Sequence, residues 1–197
     1  MKKVLFSIAI VAAGLLVASC GNKSAANAEG EDAAAVEREG TKLELCAKTY
    51  EGDSLMVSCD FWYPEDIQEI EVFGTFNARK TLADSTANAK MELYLQESSV
   101  FANHKEVAAK DYPENYKEFK IGQYDAYSYE GVRDMHICIL FEHISETTDR
   151  FIDIQIDQIQ SKSDLPSGKD FFDSEKGQKI INSLVYNGVV ARTIELK

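Results

Sequence analysis

Between residues 123 and 159 the apolar side chains return at every second position, and this period commits the second half of the chain to a sheet. Residues 123–129, 135–143 and 150–159 are three such runs, and in the last of them Ile152, Ile154 and Ile156 alternate with Asp153, Gln155 and Asp157. Successive side chains of an extended strand point to opposite faces, so one face of that run is expected in the core and the other in water. A helical period would scatter the same isoleucines around an axis. Glu130-Gly131 and residues 145–149 supply turn residues between the runs, which is the spacing of an antiparallel meander.

The other elements are placed around this meander. Residues 41–50 and 54–63 read as paired strands joined through Tyr50-Glu51-Gly52-Asp53-Ser54, the second ended by Pro64, which has no N–H to give to a ladder. Residues 69–76 are expected to form a strand, 77–89 an irregular polar stretch, and 90–96 a strand with Met91, Leu93 and Leu95 on one face. Val100, Phe101, His104, Val107 and Ala108 fall at helical spacing within residues 99–120, and Pro113 divides that span into two pieces, the second packed by Tyr116 and Phe119. Residues 161–169 read as a loop. Asp173 or Ser174 then caps a helix running to about residue 186 that buries Ile180, Ile181, Leu184 and Val185, stopped by Asn187-Gly188. Residues 189–196 add a final strand. No internal repeat is visible, and the expected class is α+β: an antiparallel β-sheet with helices packed on it.

The amino terminus has a different character. Lys2 and Lys3 precede an apolar run from Val4 to Val17 and a group of small residues, the layout of a secretory signal peptide over residues 1–19. The run is shorter than the roughly 20 residues that a spanning helix needs. Val17-Ala18-Ser19-Cys20 resembles the bacterial lipobox, which implies that the Cys20 thiol takes a diacylglycerol and becomes the first residue of the mature protein. Two or three acyl chains hold a membrane far more firmly than one. Residues 20–40 are then the lipidated cysteine and a flexible tether, because only Val36 is a sizeable apolar residue after Gly21. Residues 41–197 have the length of a single domain. Gly21 stands where an aspartate commonly retains lipoproteins in the inner membrane, which favours the outer membrane, facing the periplasm. The formal charge of −12 becomes two units more negative without Lys2 and Lys3, and this argues against nucleic acid as a partner.

With Cys20 assigned to lipid, Cys46, Cys59 and Cys138 remain for the domain in a disulfide-permissive compartment. If Gly52-Asp53 is a two-residue turn, Cys46 lies opposite Cys59 and a bridge is permitted. If the loop has three residues, Leu43, Leu45, Ala47, Leu55, Val57, Cys59 and Phe61 share one face while Cys46 joins Lys42, Glu44 and Lys48 on the other. The second register gives the cleaner apolar face.

Phe61-Trp62-Tyr63-Pro64 after a hairpin, a central helix, Gly122 opening a meander, and Ile180-Ile181-Asn182-Ser183-Leu184 in a last helix resemble the Mog1/PsbP-like family, which includes DcrB-like lipoproteins. The order of elements matches over most of residues 41–186. The resemblance implies an α/β/α sandwich and a binding or assembly role rather than catalysis, and it carries over no ligand residue. The segment 189–196 departs from it.

Enzyme signatures are few. There is no nucleophile elbow, Gly-rich phosphate loop, His-Glu-x-x-His or Cys-x-x-Cys, so neither a cofactor nor a metal is expected. Asp134, His136 and Cys138 share a strand face and offer O, N and S ligands, but a half-buried histidine beside a core cysteine accounts for them more simply. His143, next to Glu142, points to the opposite face. Asp149, Asp153 and Asp157 are too far apart along an extended strand for one calcium site at ~3.3 Å per residue, and a solvated edge face is the expected explanation. Tyr112, Tyr116, Tyr124, Tyr127 and Tyr129 crowd one region. Tyr124, Tyr127 and Tyr129 are the candidate binding surface, since tyrosine offers a flat apolar body with a polar tip; pure packing would bury them. The expectation is therefore a membrane-anchored envelope lipoprotein whose domain binds a protein or glycan partner, with an envelope hydrolase or metal-dependent enzyme as the alternative if a cavity joins His136 or His143 to convergent carboxylates.

Overall fold

The computed structural model describes residues 38–49, 52–70, 78–132 and 134–191. The signal peptide, Cys20, most of the tether, residues 71–76 of the third expected strand and residues 192–196 of the last lie outside the described residues.

Among the described residues ten strands and three helices follow one another: β1 (Thr41–Thr49), β2 (Gly52–Tyr63), β3 (Gln68–Ile70), β4 (Arg79–Asp84), β5 (Ala89–Ser99), α1 (Phe101–Asp111), β6 (Lys117–Ile121), β7 (Tyr124–Glu130), β8 (Met135–Ser145), β9 (Thr148–Gln158), α2 (Gly168–Asp173), α3 (Glu175–Asn182) and β10 (Val185–Ala191). They form an antiparallel seven-stranded sheet, β3-β4-β5-β9-β8-β7-β6, and a three-stranded one, β1-β2-β10. The class is α+β.

Parity explains which face of each strand is buried. Ile152, Ile154 and Ile156 of β9 oppose Leu95, Leu93 and Met91 of β5, and Ile137 and Ile139 of β8 continue the same apolar face. That face packs with Leu43, Leu45, Val57 and Phe61 of the small sheet and with Phe171, Ile180 and Ile181 of the carboxy-terminal helices into one core. The opposite face of the large sheet carries α1 over a second, smaller cluster of Phe101, Ala108, Tyr127, Cys138 and Phe151.

Several expectations are corrected. The second helical piece is strand β6: Phe119 pairs with Ala126 and Ile121 with Tyr124 of β7, so Phe119 and Ile121, two apart, serve the sheet rather than a helix. The polar stretch 77–89 contains β4, whose Leu82 is buried opposite Met91; Asp84 ends it by accepting from the N–H groups of Thr86 and Ala87. The loop 161–169 ends in α2, started by a capping box in which Ser167 and Asp170 satisfy each other's backbone N–H. Ser174 caps α3 by accepting from the Gly177 N–H at 3.1 Å, but the helix ends at Asn182. Ser183 ties that end to β2, accepting from the Trp62 N–H at 2.8 Å, and the chain turns into β10. The left-handed Gly188 (φ 70°) lies where the β10 register shifts against β2 rather than at a helix end.

The β1–β2 register pairs Cys46 with Ser58 and Leu45 with Cys59. Neighbouring residues of a strand point to opposite faces, so the thiols of Cys46 and Cys59 diverge. The bridge that the other register permitted is not made, and both cysteines are buried thiols outside any disulfide. β9 is a central strand between β5 and β8, which overturns the edge-face explanation for Asp149, Asp153 and Asp157.

Candidate binding cleft

Helix α1 covers the sheet incompletely. Among its residues only Phe101 and Ala108 are buried, while Val107 is 58% exposed. Its first turn is fixed from outside the helix: the Phe101 N–H donates to Asp149 Oδ2 at 2.7 Å, and Asp149 Oδ1 lies 2.5 Å from His143 Nδ1. The Phe101 ring packs on Tyr127 and Phe151 at centroid distances of 5.2 and 6.0 Å. Beyond this anchored turn a cleft of about 360 Å³ opens between helix and sheet, lined by His104, Val107, Tyr112, Tyr127, Tyr129, Cys138 and Asp153 together with Asn103 and Ala108.

Three strands bring the floor together. Tyr127 of β7 pairs with Cys138 of β8, and Cys138 in turn with Asp153 of β9, so three residues far apart in sequence stand side by side. Tyr129 stacks between Tyr112 at the end of α1 (4.6 Å, 23°) and His136 (4.6 Å, 6°). Tyr127 lies nearly parallel to it at 6.5 Å and meets Tyr116 at 5.8 Å.

Burial sets the ionisation of this group. Loss of hydration pushes the Asp153 carboxyl above its ordinary range, although His136, the Cys138 hydrogen bond and His104 pull it partly back. The Cys138 thiol is pushed up by burial and by Asp153, so it stays protonated and donates toward Asp153 Oδ1 at 3.5 Å instead of acting as a nucleophile. Burial likewise raises Tyr127 and Tyr129, and Tyr116 is pushed up to about 12 by burial and the Glu118 carboxylate. The cleft therefore sets the phenols of Tyr127 and Tyr129 beside the Asp153 carboxyl, with the His104 imidazole in the same lining.

The three tyrosines of the expected binding surface do not act together. Tyr127 and Tyr129 line the cleft, Tyr127 almost wholly buried and Tyr129 half-buried. Tyr124 faces the main core, edge-on to Phe141 at 5.4 Å and to Tyr186 at 6.3 Å. His136 is occupied by Asp134 at 2.9 Å, whereas Cys138 turns to Asp153, and no group of three His, Cys, Asp or Glu among the described residues is placed to hold a metal. Asp153 and His104 were missed as site residues: Asp153 reads as one more wet-face residue until the strand order puts α1 above it. No family model, curated protein or solved structure matches this chain.

Proposed function

We propose that this protein is a cell-envelope lipoprotein, anchored through Cys20 in the outer membrane and facing the periplasm, whose domain binds a protein or glycan partner in the α1 cleft and does not catalyse. The observation that carries the binding role is the cleft itself: exposed and half-buried tyrosines around a space of about 360 Å³, where aromatic bodies with polar tips suit recognition. His143 pairs with Asp149, whose other oxygen holds the start of α1, and neither residue lines the cleft. The layering, with α1 on one face of an antiparallel sheet and α2 with the small sheet on the other, supports a Mog1/PsbP-like domain type; strand β10, which joins the β1–β2 hairpin, departs from that pattern.

Two measurements test the proposal. Labelled palmitate is expected to enter the wild type and not Cys20→Ala; equal labelling of both removes the anchor. A photo-crosslinking residue at position 107, beside the cleft, is expected to capture a discrete envelope partner in living cells, and Tyr129→Leu is expected to abolish that adduct. Capture that is indifferent to Tyr129→Leu places binding elsewhere.

A further inference from the structure

We infer that β6 is a homodimer edge: two copies of this chain join their large sheets along it, antiparallel about a two-fold axis at Phe119, with Glu118 of each copy facing Lys120 of the other. This surface is separate from the cleft and stands whether or not the cleft binds a partner.

β6 closes one end of the seven-stranded sheet and, among the described residues, pairs with β7 alone. Ile121 and Tyr124 face each other across the two-residue turn Gly122-Gln123. A hairpin of that length closes on a hydrogen-bonded pair, and such pairs alternate along the ladder. Ile121, Phe119 and Lys117 therefore turn their N–H and C=O groups toward β7, and Glu118 and Lys120 turn theirs outward. Lys117, Glu118 and Lys120 are exposed, so this row of donors and acceptors is open to another strand.

The chain's own β6 fits that row in one register. Residues that face each other across a two-fold antiparallel junction must lie on the same face of the joined sheet, which puts the axis at a residue rather than between two. An axis at Glu118 sets glutamate against glutamate, and one at Lys120 sets lysine against lysine; like charges directly opposite are destabilising. An axis at either end of the strand leaves most of it unpaired. An axis at Phe119 sets Glu118 against Lys120 on both sides, in positions that exchange both backbone hydrogen bonds, and Phe119 against its own copy as a cross-strand aromatic pair. It also brings Tyr116 opposite Gly122, where a Cβ would meet nothing within 4 Å, so the rim has room.

The present partners of the two charges leave the junction open. Glu118 meets Lys105 at 2.6 Å and Lys120 meets Asp125 at 2.7 Å, all four through exposed side chains, and exposed pairs contribute little. A junction of one short strand makes a weak, reversible dimer. The anchor proposed above, by holding copies in one plane, raises their effective concentration.

The test uses purified full-length protein in detergent, with copper phenanthroline as oxidant and tags of two sizes. Cys46, Cys59 and Cys138 are buried, and the wild type sets the background. Glu118→Cys on one chain and Lys120→Cys on the other are expected to give a mixed disulfide about tenfold above either homodimer, since facing residues lie about 5.5 Å apart at Cα. Glu118→Lys and Lys120→Glu, each alone, are expected to lower the dimer fraction in sedimentation velocity about tenfold, and an equimolar mixture to restore it, because every lysine then faces a glutamate. Both positions are exposed, and unchanged circular dichroism shows that each variant is folded. Self-linking of Glu118→Cys that equals the mixed product, a monomeric wild type, or a dimer fraction indifferent to both charge reversals overturns the inference. The crosslink from position 107 bears on the cleft alone.

Discussion

Asp153 costs the protein stability, and the sign of that cost can be followed with pH. Its carboxyl is raised in the folded state, first by burial, so the folded protein holds its proton more tightly than the unfolded chain does. Stability then falls as pH rises from the unfolded carboxyl range through the folded pKa, and the penalty is fully present above it. The groups that face Asp153 are Cys138 and His136 on β8, Tyr127 and Tyr129 on β7, His104 on α1, and Tyr94 opposite it on β5. None of them is a lysine or arginine that would reverse the sign. Asp153→Asn is therefore expected to melt at a higher temperature than the wild type at pH 7, with the difference vanishing below about pH 4, the ordinary carboxylate range; melting curves at the two pH values check this.

At the scale of elements, α1 depends on an acceptor from another strand. Val100 at its amino end provides no side-chain cap, and Asp149 of β9 takes the Phe101 N–H in its place. Asp149→Ala is expected to cost about 1–2 kcal/mol, the range of a lost cap, and amide exchange of residues 101–104 should accelerate more than that of β5 or β9. Helix α2 depends instead on close approach. A Cβ at Gly168 would fall 1.9 Å from the Ile156 carbonyl oxygen of β9, so Gly168→Ala is expected to lower stability by about 1–3 kcal/mol through overpacking, measured by denaturant titration. These two cases show what was legible in the sequence. Alternation along β8 and β9, the Ser174 cap and the helical spacing from Phe101 to Ala108 are local, and the structure contains them. The cap from Asp149, the seat of Gly168 and the row Tyr127, Cys138 and Asp153 depend on strand order and register, which no local pattern specifies. β6 was hidden because Tyr116 and Phe119 also satisfy helical spacing, and β10 because residues up to Tyr186 continue the apolar pattern of α3.

On the scale of the whole domain the two sheet faces are unequal. The main core joins both sheets, α2 and α3 through one continuous apolar cluster, whereas the cluster beneath α1 is small and stands apart. The cleft rows nevertheless lie on β7, β8 and β9, the strands that build the main core with their opposite faces, so the cleft has no support independent of that core. Loss of the core should dissolve the cleft in the same transition, while loss of α1 should leave the sheet standing. Phe61 tests the first half: it is fully buried in the small sheet, remote in strand order from Tyr127 and Tyr129. Phe61→Ala is expected to cost about 3–5 kcal/mol, and the near-ultraviolet dichroism of the stacked tyrosines should disappear at the same lowered temperature as the far-ultraviolet strand signal. Asp149→Ala tests the second half, because there the tyrosine signal should weaken below the temperature at which the strands melt. Separate transitions in Phe61→Ala would mean that the large sheet is stable without the small one, and the two-faced dependence argued for this molecule would fail.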